Sequence, residues 1–181
     1  NLTNQIKFND APISTISYYL HAQLMKAMSN KGFKVSISGT GADEIFTGYY
    51  DHHLFYLNAI KRKKFFKQSL LGWKKNISQI VRNPFLKDFK KFSKLKDKRK
   101  HIYLNKSIFE NYLYKNWSEE FYEKKFTKDT LRNRMANEMF YESVPVILHA
   151  DDMNAMANSI ENRSPFLDKE LFEFGNKIPT K

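Results

Sequence analysis

The sequence predicts a mainly α-helical chain built around one short parallel strand, and three features carry that prediction. Phe33 to Ser38 is the only convincing strand, a short run with the β-branched residues Val35 and Ile37. Elsewhere apolar residues recur at spacings of three and four, the helical period. The strand also runs into Ser38-Gly39-Thr40-Gly41-Ala42-Asp43-Glu44, a glycine turn followed by an acidic pair that opens an amphipathic helix. A buried parallel strand hands over to a helix in this way in an α/β unit.

Taken in order, residues 1–13 are polar with no clear period, and Asp10-Ala11-Pro12 reads as a turn into a helix. Ile16, Tyr19, Leu20, Leu24, Ala27 and Met28 form the stripe of that helix, with Ser14 or Thr15 as its cap and Gly32 as its left-handed stop. After the strand, Ile45 to about Lys67 reads as one helix. His52 and His53 are adjacent in it, so they point to different faces and make poor joint metal ligands. The segment at about 61–101 is basic and helical, broken in two at Asn83-Pro84. Leu104–Lys124 and Thr127–Tyr141 read as two further helices, the second capped by Thr127. Pro145 marks a break or a first helical turn. Met153, Met156 and Ile160 line a helix that ends before Pro165, and Lys169–Gly175 forms a short last helix capped by Asp168.

At 181 residues the chain buries one core or forms part of a larger domain. The absence of cysteine excludes a disulfide framework, a thiolate metal site and a thiol nucleophile. No apolar run approaches ~18 residues and no signal-peptide pattern is visible, so the expectation is a soluble cytoplasmic protein that is not transmembrane. The chain opens on Asn1 and stops at Pro179-Thr180-Lys181 without an obvious helix stop, which we read as a piece of something longer. The net charge of +12 is unevenly placed. From Lys61 to Lys100, thirteen Lys and three Arg oppose two Asp, a net +14 that leaves the remainder at −2. The basic surplus therefore belongs to one segment rather than to the fold.

Two stretches carry chemistry. The first is the glycine turn, where backbone N–H groups and a helix N-terminus favour an anion. Asp43 places a negative charge there. The two are compatible when a divalent cation lies between them, since Mg²⁺ sites combine one or two carboxylates with substrate phosphates. The competing reading is a tight turn with Asp43 as a helix cap. The second stretch runs from Asp152 through Met156-Ala157 to Glu161-Asn162-Arg163-Ser164-Pro165-Phe166-Leu167-Asp168. It resembles the late motif of the asparagine synthetase family, loosely Asp, two or three residues, Met-Ala, then Glu-x-Arg-x-Pro-Phe-Leu-Asp. Ser38-Gly39-Thr40-Gly41-Ala42-Asp43-Glu44 with Gly48-Tyr49 resembles the same family's Ser-Gly-x-Gly-x-Asp-Glu-x-x-x-Gly-Tyr motif, and Asp10-Ala11-Pro12 is similar to its upstream Asp-x-Pro. The resemblance covers roughly residues 8–60 and 135–181.

The resemblance implies a C-terminal part of an adenine-nucleotide α-hydrolase-like (ATP pyrophosphatase) α/β fold, mainly helical here because most sheet strands would precede residue 1. It also implies ATP and Mg²⁺ as cofactors, and a small carboxylate activated as an acyl-adenylate before an amine or ammonia displaces AMP. By this resemblance Ser38, Gly39 and Gly41 contact the nucleotide, Asp43 holds Mg²⁺ and pyrophosphate, and Glu161 and Arg163 act as a site acid and a charge clamp. Glu44 reads equally as a site acid or a structural one, and Glu161–Arg163 equally as a structural ion pair.

Three departures stand beside the resemblance. The family's ATP-gripping Ser-Gly-Gly-x-Asp-Ser loop appears nowhere, and its late Lys would lie beyond Lys181. Thr40 occupies a position that is acidic in many asparagine synthetases. The implied partners are therefore a missing N-terminal part of the synthetase and a glutaminase or other ammonia source. The basic segment has three readings: lysines facing water over inward aromatics, docking on an anionic surface, or binding nucleic acid. The last is disfavoured for want of a recognised module. The rival to the synthetase reading is a non-catalytic helical binding module that docks on an anionic partner through this segment.

Overall fold

A computed structural model describes residues 2–99, 106–115 and 122–180, with side chains described for all of these except residues 106 and 107. The chain divides into two compact units, one of residues 1–47 and 135–178 and the other of 48–134 and 179–181.

The first unit contains α1 (Leu2–Asn9), α2 (Ile16–Asn30), β1 (Val35–Ile37) and α3 (Ala42–Phe46). After the other unit's residues, it resumes within a helix spanning Thr130–Phe140 and continues through Ser143–Met156, β2 (Glu161–Arg163), a 3₁₀ turn at Pro165–Leu167 and a last helix at Lys169–Lys177. β2 corrects the single-strand expectation. The helix expected to run on toward Pro165 stops at Met156, and Ser159 takes a φ of 54° in the turn that follows. Ile160 then plugs the core beside Met25 and Ala155. This leaves Glu161–Arg163 to pair in parallel with β1, in the register Val35↔Glu161, Ser36↔Asn162 and Ile37↔Arg163. Three residues of the polar composition Glu-Asn-Arg carry no strand signal, so pairing alone makes them a strand.

Residues 1–13 also depart from expectation, since Leu2–Asn9 is helical. Asp10 follows with a φ of 49°, and the turn leads into α2. Thr15 holds the cap position of α2 without a side-chain capping bond, and Gly32 takes the expected left-handed conformation, with a φ of 83°. A second apolar cluster joins Ile45, Met139 and Val144, with Leu148, Leu167 and Phe172 packed on it. Gly175 of the last helix lies so close to the Ile45 Cγ2 methyl that a β-carbon would collide with it. Helix propensity alone favours Ala over Gly by about 1 kcal/mol. We expect Gly175→Ala to destabilise instead, by roughly 1–3 kcal/mol as overpacking does. Chemical denaturation would show the sign, and a stabilised variant would refute the close approach.

The second unit contains α4 (Tyr50–Ala59), α5 (Phe66–Asn76), a 3₁₀ turn at Pro84–Leu86, α6 (Phe89–Lys94), α7 (Lys106–Phe109), a 3₁₀ turn at Glu110–Tyr112 and the first turns of α8 (Thr130–Phe140). In chain order the remaining helices are α9 (Ser143–Met156) and α10 (Lys169–Lys177). The single helix expected from Ile45 to Lys67 is broken at Thr47, whose φ of 70° no helix accommodates, and α4 ends at Ala59. The helix expected over Leu104–Lys124 is helical among the described residues only from Lys106 to Tyr112; residues 100–105 and 116–121 lie outside them. Asp129, not Thr127, caps α8, its Oδ1 accepting from the Leu131 and Arg132 N–H groups at 2.9 and 3.1 Å. Within the basic segment Trp73, Val81, Leu86, Phe89 and Phe92 are buried. Phe92 meets Phe55 edge-on at 5.2 Å. Asn83 Oδ1 accepts from Phe85 N–H at the break expected before Pro84.

Candidate functional site

Because β1 and β2 run parallel, their carboxyl ends lie side by side, and the two residues that follow them meet. Ser38 N–H donates to the Arg163 carbonyl at 2.8 Å, and Ser38 Oγ lies 3.0 Å from Ser164 Oγ. Ser38 Oγ donates to Thr40 Oγ1 at 3.0 Å, and Thr40 Oγ1 donates to Asp151 Oδ2 at 3.3 Å. Each hydroxyl has a single proton. With the Ser38 proton committed to Thr40, Ser164 is the donor in its bond to Ser38. The hydroxyls therefore point one way, from Ser164 through Ser38 and Thr40 to the Asp151 carboxylate. Thr40 N–H also donates to Ser38 Oγ at 3.3 Å, which closes the turn on itself.

Asp151 is buried, with 7% of its surface exposed, on the inner stripe of α9 with Val144, Asn154 and Ala155. Its other oxygen, Oδ1, lies 3.3 Å from His21 Nδ1 on α2. Asn154 places its Nδ2 3.4 Å from the same His21 nitrogen and donates to the Tyr18 carbonyl at 3.0 Å. Gln5 Nε2 in turn donates to Asn154 Oδ1 at 2.7 Å. Burial, and then the negative charge of Asp151, raise the pKa of the Tyr18 phenol, because both disfavour a second anion.

The sequence-derived residues are placed differently from one another. Ser38 stands inside the hydroxyl relay. Gly41 holds the cap position of α3 with a φ of 94°, where a β-carbon would come within 2.5 Å of the Leu167 side chain. Gly39 does not use the left-handed region, and a β-carbon there meets nothing within 4 Å. Asp43 is exposed and is not the cap, since Gly41 occupies that position. Glu44 is turned into the interior, 4% exposed. With only five residues, α3 is too short to develop the full helix dipole that the anion argument invoked. Glu161 and Arg163 are exposed and bond one another at 2.9 Å. That bond, reinforced by the opposite charges, lowers the Glu161 pKa and raises that of Arg163. Being fully solvated, this pair contributes little to stability.

Sequence reasoning missed Asp151, His21, Asn154 and Ser164. For Asp151 a signal existed. Of the adjacent Asp151 and Asp152, only the first lies three and four residues from Asn154 and Ala155, and only the first is buried. His21 and Ser164 carry no comparable signal, because only strand and helix packing brings them in.

Residues 3–181 match a family model described as asparagine synthase. The chain belongs to the asparagine synthase family. Asparagine synthases are ATP-using, amide-forming ligases, and the match includes residues 61–134, the stretch in which the sequence alone shows no recognised motif. No curated protein and no solved structure matches the chain. Both motifs of this asparagine synthase chain converge in one place, Ser38 and Thr40 from the first and Ser164 from the second. His52, by contrast, is buried in the other unit, where its Nδ1 accepts from Gly48 N–H at 3.3 Å. Among the described residues no helix is long and apolar enough to cross a membrane.

Proposed function

We propose that this chain is the C-terminal part of a synthetase domain that activates a small carboxylate with ATP as an acyl-adenylate and passes it to an amine or ammonia. The observation that carries the reading is the convergence of the two motifs at the carboxyl ends of parallel strands, where open α/β sheets bind ligands. The fit to a nucleotide–Mg²⁺ group rests on three features of the turn. Gly39 leaves open space over the backbone, Ser38 stands beside it at the end of β1, and Asp43 presents an exposed carboxylate, the hard oxygen ligand Mg²⁺ prefers. When bound, Mg²⁺ would neutralise charge on the departing pyrophosphate. Asp151 is proposed to draw a proton from the incoming amine through Thr40, with His21 facing its other carboxylate oxygen.

Incompleteness of this part is supported by its surface. The strand pattern of β1 is inverted, with Ser36 buried while Ile37 is 75% exposed. Ile16, Leu20 and Leu24 form an exposed stripe along α2. A two-stranded sheet is marginal by itself, and a run of exposed apolar residues marks a face that another part of the domain covers. We place the complete protein in the cytoplasm, with an ammonia source outside this chain.

The test of the reaction is product identity in the full-length protein. Carboxylate-dependent release of AMP and pyrophosphate, with hydroxylamine trapping an acyl hydroxamate, is the expected result. Release of ADP and phosphate would exclude the adenylate route. The isolated chain should form neither product, and robust Mg²⁺-dependent AMP release by it would overturn the proposed incompleteness.

Asp151→Asn should separate the two half-reactions. Adenylation, followed as ATP–pyrophosphate exchange, should remain near the parent rate. Amide formation should fall by about 10²–10⁴-fold, the usual contribution of a positioned base. Equal losses in both half-reactions would make Asp151 structural.

A further inference from the structure

The second unit carries charge of a single sign on an open surface. Between Lys61 and Lys87 stand seven Lys and two Arg, and no Asp or Glu. All nine of these cationic side chains are exposed, and none forms an ion pair among the described residues.

Helix α5 shows how that charge is arranged. Its inner face is fixed, since Trp73 is buried and the Phe66 ring packs on Phe89 with centroids 5.5 Å apart. Opposite these two residues around the helix stands Leu71, which is 66% exposed. Lys67 and Lys75 lie one turn to either side of Leu71, and Lys74 lies three residues on. All three fall within about 60° of it around the helix axis. The outer face of α5 is therefore one large aliphatic side chain among three ammonium groups. Phe65, just before the helix, and Ile80, four residues past its end, are exposed as well, and Arg82 follows Ile80 by two residues.

This face differs in kind from the exposed stripe on α2. There the neighbours of Leu20 at three and four residues are Ile16, Ser17, Gln23 and Leu24, none of them charged, a composition that more protein can cover. A protein covering Leu71 would bury Lys67, Lys74 and Lys75 with it, and each buried ammonium would need a carboxylate of its own. A bilayer makes no such demand. Lysine stems lie along its apolar boundary while their heads stay among the lipid phosphates, and a side chain such as Leu71 between them enters the acyl region. Nucleic acid suits the face less well. A duplex is held by phosphate neutralisation and single strands by aromatic platforms, so neither uses an exposed Leu or Ile.

We propose that this face of the second unit docks on an anionic phospholipid bilayer. Leu71 enters the boundary between headgroups and acyl chains, and the surrounding Lys and Arg meet the lipid phosphates. The cytoplasmic leaflet of a cell membrane carries the negative surface potential this requires, and each Lys or Arg held near it strengthens binding by about fivefold. The proposal rests on this surface alone and is independent of the adenylation chemistry.

Cosedimentation of the full-length protein with vesicles tests it, at physiological salt, where charge attraction is screened beyond about 8 Å. The protein should pellet with mixed phosphatidylglycerol–phosphatidylcholine vesicles and stay in solution with phosphatidylcholine alone. The triple variant Lys67→Gln/Lys74→Gln/Lys75→Gln should partition about a hundredfold more weakly, three charges at about fivefold each. Leu71→Asn changes no charge, yet it should weaken vesicle binding severalfold while affinity for a DNA duplex stays at the parent value. All four positions are exposed, so the circular dichroism of both variants should match the parent. Failure to bind the anionic vesicles, or equal binding to both vesicle types, would overturn the proposal. So would parent-level vesicle binding by Leu71→Asn, or tighter binding to the duplex than to the vesicles at equal phosphate concentration.

Discussion

Asp43→Ala in the full-length protein is expected to reduce ATP–pyrophosphate exchange by at least about a hundredfold, the scale on which removal of a charge-stabilising group acts. Asp43 is exposed on the second residue of α3, and capping falls to Gly41. Its loss therefore removes no buried contact, and the denaturation midpoint should stay at the parent value. Were Asp43 a ligand to Mg²⁺, raising the metal concentration should restore part of the exchange, a rescue that a structural carboxylate does not give. Exchange within about threefold of the parent rate would remove Asp43 from the metal site, since single metal-site groups contribute several kcal/mol.

Arg134→Met should produce the largest loss of stability. Arg134 is 2% exposed, and its Nε lies 3.8 Å from the buried Asp51 carboxylate while its Nη1 reaches Glu123 at 3.5 Å. Methionine fills similar volume, so the change isolates charge from packing. Removing one member of a buried pair costs about 3–5 kcal/mol, because the remaining charge stays out of water. For a chain of this size each kcal/mol lowers the thermal midpoint by roughly 2–4 °C. Replacing both partners, as Arg134→Met/Asp51→Leu, should recover much of the loss, since an apolar pair needs no charge compensation. A single variant destabilised by less than about 1 kcal/mol would mean that water reaches Asp51.

How much of this protein is legible in its sequence depends on the distance over which each feature is decided. Gly32 ends α2, Pro84 follows the capping Asn83, and Asp168 caps α10 with its Oδ1 on the Leu171 N–H at 2.9 Å. Each is settled within a few residues by φ restriction or a local hydrogen bond. The two motifs were legible in the same way, because glycine turns and the Pro-Phe-Leu-Asp ending are local chemistry. Tertiary structure decided the rest. Glu161–Arg163 has no strand propensity and became a strand because β1 offered unpaired backbone groups beside it. The relay from Ser164 to Asp151 required β1, β2, α9 and α2 to meet at one point, with partners up to 130 residues apart in the chain, as in the 126-residue separation of Ser38 and Ser164. A hydrogen bond acts over about 3 Å of space, and periodicity in sequence reports only which face a residue occupies, not what it faces.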